Sequence, residues 1–349
     1  MNTRRYKLLF FALGVLTMAV LVYRTGWREM VGHIAGMGYW LAPVIGSWII
    51  IYLLNAWAFH DIIYERDKPE TRLAFGRVLQ LTISGYAINY ITPFVGLGGE
   101  PYRIMELRPM LGIARASSAV VQYGLMHMLS HVVFWLFSLV LIVVFLEPGM
   151  LLLTGCAALL AAGLLLGFLF MRMYRRGFLV AVLVSVSKWP LVGGKASFFL
   201  ERHRATLTGI DDQIKTLYAD RRSTFYRSMS LEFLARIVGC AEIYFIGAAI
   251  HLDMSWLDAL IISSGSSLFA NLVFFFPMQL GTREGGMALA LKSVGLPAAS
   301  GVFISLVTRI RELFWIAVGY GLMYFQERGQ EEIYSIKTSS TKHDKGDLI

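Results

Sequence analysis

At 349 residues the chain has the length of two soluble domains, yet 56 % of it is apolar and only 16 % is charged, where a soluble domain carries about a quarter. A mean hydropathy of +0.60 and repeated apolar runs near the about 20 residues that cross a bilayer exclude a soluble enzyme or nucleic-acid module. They describe an all-α polytopic membrane protein whose net charge of +9 must be explained by where the charges sit.

In chain order, a basic start (Met1 to Lys7) leads into an apolar stretch, 8–23, with no small-residue cleavage site after it, since Val22-Tyr23-Arg24 does not serve as one. It reads as an uncleaved first span. Further spans are predicted at 39–59, 117–146, 150–171, 229–250 and 301–325, which makes about six full spans. The loops 1–7, 60–77, 172–228 and 326–349 together hold 22 Lys and Arg, whereas the alternate loops hold only Arg24 and Arg28. The positive-inside rule therefore predicts a multi-pass protein of the cell (inner) membrane with both termini cytoplasmic. Within the basic region, Phe178 to Trp189 reads as interfacial. Residues 201–228 read as a solvated polar helix, with Thr208, Ile210, Ile214 and Leu217 as its less polar positions. The tail after Gln326 reads as disordered. Cys156 and Cys240 fall in spans and match no metal spacing, and no metal or cofactor is expected.

A pattern occurs twice. Pro93-Phe94-Val95-Gly96-Leu97-Gly98-Gly99-Glu100 and Pro277-Met278-Gln279-Leu280-Gly281-Thr282-Arg283-Glu284-Gly285-Gly286 each run from a proline to a glutamate seven residues on. Each is followed by a helical stretch containing a further glycine, Gly112 or Gly295. Counting spans makes 73–112 and 256–297 re-entrant hairpins, the first entering from the cytoplasm and the second from outside. The expected organisation is an inverted repeat of span–hairpin–span units. Residues 1–176 form the first membrane half, 177–228 the linker, 229–325 the second half and 326–349 the tail. Paired breaks of this kind mark substrate sites in transporters. Backbone left unpaired at a tip is tolerated in a membrane only inside protein or beside water. Proline ends the first arm of each hairpin, and the second arm presents its helix N-terminus, attractive to anions, at the tip.

Charges at membrane depth are costly and point to function. Glu100, Arg103, Arg283 and Glu284 sit at the tips. Glu232 and Arg236, four apart, share a face of 229–250, and Arg309 and Glu312 lie on the last span. These eight are the candidate substrate-binding residues, with Pro93, Gly96, Gly98, Gly99, Pro277, Gly281, Gly285 and Gly286 shaping the tips. The bland alternative is that Glu100 with Arg103, and Arg283 with Glu284, are ion pairs that only hold the tips in shape. Asn89, Tyr90, Thr92, Glu242, Asn271 and Gln279 add further polarity. His127 and His131 read as core histidines or interhelical hydrogen bonds, and Arg108 and Arg115 as side chains that snorkel to an interface. No P-loop, nucleophile elbow or zincin motif is present, and no catalytic residue set is proposed.

The stretches Gly98-Gly99-Glu100-Pro101-Tyr102-Arg103 and Leu280-Gly281-Thr282-Arg283-Glu284-Gly285 resemble the lysylphosphatidylglycerol synthase transmembrane family, the flippase-like membrane part of the multiple peptide resistance factor. The resemblance covers about 1–326. It implies translocation of an aminoacylated or otherwise modified lipid between leaflets, and it maps the family's polar positions onto Glu100, Arg103, Arg283 and Glu284. The full-length resistance factor adds a cytosolic transferase domain. The sequence here ends at Ile349, so a separate lipid-modifying enzyme is the expected partner. Three functions stay open: a translocase for an anionic, modified or polyprenyl-phosphate lipid, downhill or ion-coupled, with Glu100 and Glu284 as candidate proton carriers; a secondary transporter of a small anionic solute using the same site; and a membrane-embedded transferase or an assembly partner of one.

Overall fold

The computed structural model describes residues 27–92, 98–145, 149–189, 193–272 and 282–343. The expected span 8–23 and the tip residues Pro93, Gly96, Pro277, Gln279 and Gly281 lie outside them. The described residues form helices joined by short connections, with no strand among them: α1 (Trp27–Met37), α2 (Leu41–Ile63), α3 (Phe75–Ile91), α4 (Gly99–Phe145), α5 (Met150–Arg176), α6 (Leu179–Val186), α7 (Gly193–Ala219), α8 (Arg222–Ala249), α9 (Trp256–Leu272), α10 (Thr282–Ser293) and α11 (Ser300–His343). Among the described residues, three segments are long and apolar enough to cross a membrane: Ile34–Ile63, Gly99–Phe145 and Leu153–Arg176. The chain is an all-α, multi-pass membrane protein.

The same order of described elements occurs in both halves: a long helix, a 17-residue helix, a short helix, a glycine joint and another long helix. The joints are Gly112, which interrupts α4, and Gly295, between α10 and α11, with φ of 73° and 79°. Only glycine adopts that left-handed backbone without steric cost. The expected arms of the first hairpin, 75–92 and 101–113, fall on α3 and on the part of α4 before Gly112.

The halves interlock. Helix α3 packs on α11, where a Cβ at Gly319 would come within 2.4 Å of the Ala87 Cβ. There Ser84 Oγ donates to Gly319 O (3.1 Å) and Gln80 Nε2 to Leu322 O (2.9 Å). Reciprocally, α9 packs on α4, and Trp135 Nε1 donates to Ser267 Oγ (3.3 Å). Helices α2 and α8 run alongside each other between these pairs. Close backbone approach at a small residue plus interhelical hydrogen bonding is how membrane helices associate when lipid is as apolar as leucine.

Several expectations are corrected. The linker helix is not solvated all round: Ile210, Ile214 and Leu217 are buried in a cluster with Tyr174, Phe225 and Tyr123, and Leu207 rather than Thr208 turns inward. Asp211 reaches from α7 to accept the amides of Phe178, Leu179 and Val180 (2.8, 3.0 and 3.1 Å), capping α6 and satisfying donors that a helix start leaves unpaired. Helix α8 begins at Arg222, before the expected start of its span at 229. Helix α11 runs to His343. Arg115 does not snorkel. It pairs with Glu65 and donates to the terminal carbonyls of α2, Ile62 O (3.2 Å) and Ile63 O (2.9 Å).

Candidate functional site

The end of α3 and the start of α4 are bonded to each other. Asn89, near the end of α3, accepts the Gly99 amide on Oδ1 (2.6 Å) and donates through Nδ2 to Glu100 Oε1 (3.2 Å). A Cβ at Gly99 would fall 2.2 Å from Gly85 O, so only glycine lets α4 start there. Arg103 is 1 % exposed. Its guanidinium lies over the rings of Tyr86 and Tyr123 (5.1 and 5.4 Å to the centroids), donates to Leu81 O and Thr82 O (both 3.4 Å), and pairs with Glu100 (3.3 Å). It fills the space that a Cβ on Gly85 would need. Arg77 and Glu106 (2.6 Å) tie the two arms again further down. The N-terminus of α4 is thus already supplied with the chain's own acceptors.

The second tip is bonded differently. Arg283 and Glu284 do not pair with each other, because consecutive helical residues point in different directions. Arg283 pairs with Glu312 (2.6 Å) and Glu284 with Arg309 (2.7 Å), two crossed ion pairs that tie α10 to α11. Gly285 has open space where a Cβ would stand, whereas Gly286 packs on Phe269.

Between the tips lies a cavity of about 750 Å³. Seven helices contribute: Trp48 and Asn55 from α2, Tyr86 and Tyr90 from α3, His127 and His131 from α4, Arg236 and Glu242 from α8, Ser263 and Ser267 from α9, Arg283 from α10, and Arg311 and Glu312 from α11. Its described lining therefore holds three arginines against two glutamates. Among the expected site residues, Arg236, Arg283 and Glu312 face it, while Glu100, Arg103, Glu232, Glu284 and Arg309 stand behind them. Asn89, Tyr90 and Thr92, noted before the first break, line it as well.

Sequence reading did not rank Arg311 and Glu242, which form the best-built pair of the wall. Arg311 Nε and Nη2 donate to the two Glu242 oxygens, both at 2.9 Å, in the two-pronged geometry a guanidinium favours. Trp48 lies under that guanidinium at 3.7 Å from its ring centroid and donates Nε1 to Glu242 Oε2 (2.9 Å). The available signal was the spacing Arg309–Arg311–Glu312, which puts charge on more than one face of a single membrane helix. The pair Glu232–Arg236 is joined at 3.7 Å, with His127 as a third member: His127 Nδ1 is 2.8 Å from Glu232 Oε2. Among the described residues no group of three or more His, Cys, Asp or Glu is placed to hold a metal ion.

A cavity lined by arginines, glutamates, serines and histidines, among helices that expose leucine, valine and phenylalanine, marks this as an all-α membrane protein with charged side chains gathered on an internal cleft. The family described as the lysylphosphatidylglycerol synthase TM region matches residues 7–319, and the chain belongs to it. No curated protein and no solved structure matched.

Proposed function

We propose that the protein moves an anionic or modified phospholipid, or a polyprenyl-phosphate lipid, between leaflets, without itself being an enzyme. The observation that carries this reading is the 750 Å³ cavity with three arginines against two glutamates, in a chain belonging to a family of membrane lipid synthases' transmembrane regions. A headgroup phosphate entering this space meets Arg236, Arg283 and Arg311, whose planar donors match phosphate oxygens. Glu242 and Glu312 hold two of these guanidiniums in place when no anion is present, so binding exchanges one carboxylate partner for another acceptor rather than exposing bare charge. The hydroxyls of Ser263, Ser266, Ser267 and Thr308 add neutral donors for the rest of a headgroup. The acyl chains stay in lipid. With both termini cytoplasmic and the breaks approaching from opposite faces, α3–α4 and α9–α10 are the two gates around one central site.

Reconstitution tests this. Proteoliposomes carrying tail-labelled anionic, aminoacylated or polyprenyl-phosphate lipids are assayed for loss of label from one leaflet. Wild type is expected to exceed empty vesicles for at least one lipid, and Arg283→Ala to fall by about tenfold or more, as loss of one phosphate-binding cation implies. Equal rates in empty and loaded vesicles for all lipids would refute the reading. Transport of free glycerol phosphate without lipid movement would favour a small-anion transporter instead.

A further inference from the structure

Beside Arg236 the cavity wall holds two titratable groups, His127 and Glu232, that headgroup binding leaves unused. His127 is 24 % exposed and Glu232, behind it, is 0 % exposed. His127 Nδ1 lies 2.8 Å from Glu232 Oε2, 3.0 Å from Tyr86 Oη and 3.1 Å from Arg236 Nη2. The second Glu232 oxygen, Oε1, is buried and makes no hydrogen bond. The remaining groups that face the imidazole are Tyr123 and His131 on its own helix, with ring centroids 6.1 and 5.3 Å away, and Arg103 beyond Tyr86. Across the cavity stand Arg283, Arg311 and their two glutamates.

Two proton arrangements suit this geometry. A neutral imidazole accepts at Nδ1 from Tyr86 or Arg236. An imidazolium donates Nδ1–H to Glu232, which holds acceptor capacity in reserve. The carboxylate favours the added charge and Arg236 opposes it, so a third charge tips the balance. An anion beside Arg236 offsets the guanidinium and favours the proton. By reciprocity, the proton favours the anion to the same degree. We propose that His127, backed by Glu232, binds one proton with each anionic headgroup, so that lipid movement is coupled to proton movement. This rests on the lipid reading above. The proton is taken from cavity water onto the imidazole and returned to water on the far side as the headgroup leaves. A singly charged phosphodiester then crosses with no net charge. The expected carriers Glu100 and Glu284 are instead engaged by Arg103 and Arg309.

Two experiments test it. Calorimetry of detergent-purified protein with water-soluble dihexanoyl phosphatidylglycerol, in two buffers of different ionisation heat, counts protons taken up on binding. Wild type is expected to take up close to one below neutral pH, and His127→Gln none, with binding that no longer depends on pH. Binding by wild type without proton uptake at any pH overturns the proposal, whether or not the variant folds. So does absence of binding. In vesicles, an imposed gradient is expected to shift the leaflet ratio of tail-labelled phosphatidylglycerol by about tenfold per pH unit, one coupled proton's worth. Lipid that moves with a ratio indifferent to the gradient overturns the coupling and leaves the translocase reading standing. Lipid that does not move at all overturns both.

Discussion

The two glycine-rich tips share a sequence pattern and differ in what they do with it. At the first, Glu100 and Arg103 pair within one helix, Asn89 bridges the break, and glycine meets glycine backbone at Gly85 and Gly99. At the second, the charges reach across to α11, and Arg283 and Glu312 open onto the cavity. A repeated sequence motif is therefore bonded in two ways: the charges of one copy pair within a single helix, and those of the other pair across to α11.

The sharpest way to break this comparison is at the glycines. Gly99→Ala puts a methyl 2.2 Å from a backbone oxygen, and overpacking of that kind costs about 1–3 kcal/mol or more. Gly285→Ala meets nothing within 4 Å and is expected to change stability by less than about 1 kcal/mol. Thermal unfolding in detergent separates them, and equal losses would remove the distinction between the tips.

Next come the arginines. Arg103→Met leaves Glu100 without its cation inside the helix pair and is expected to cost about 3 kcal/mol in stability. Arg283→Ala is expected to cost less stability and to lose transport. Glu242→Gln takes one charge-assisted partner from Arg311, with an expected loss of about 2 kcal/mol. A Glu242→Gln protein as stable as wild type would show the pair to be a ligand site with no structural share.

The smallest expected effect lies outside the bilayer. Burial alone would raise Glu65, but Lys68, Arg115 and Arg221 hold its carboxyl below the usual 4.5. A lowered folded value means its stabilisation is present above pH 4.5 and is lost as pH falls below it. Glu65→Gln should therefore lower the melting temperature by a few degrees at neutral pH, with the gap to wild type closing toward pH 3 (an effect of about 1 kcal/mol). A gap constant with pH would show that Glu65 acts by packing alone.

How much of this was legible in the sequence depends on whether a property is local. The spans 39–59, 117–146 and 150–171 follow from the length and apolarity of their runs, and the joint at Gly112 from glycine, because these act on their own few residues. The ion-pair partners were not local. Arg283 and Glu284 are neighbours in sequence yet bond to α11, and Arg115 holds the end of α2. The eight charged residues singled out as a site divide into cavity wall and support only once α8 and α11 are placed.

By itself, then, the sequence determined that this is a multi-pass helical membrane protein with two glycine-rich motifs and charges within its apolar stretches, since desolvation drives an apolar run into helix. Only the tertiary structure decided which of those charges face shared space. Helices hundreds of residues apart in sequence are held together by small-residue contacts such as Gly319 on Ala87. The direction in which a guanidinium points depends on which neighbouring helix offers the nearest carboxylate.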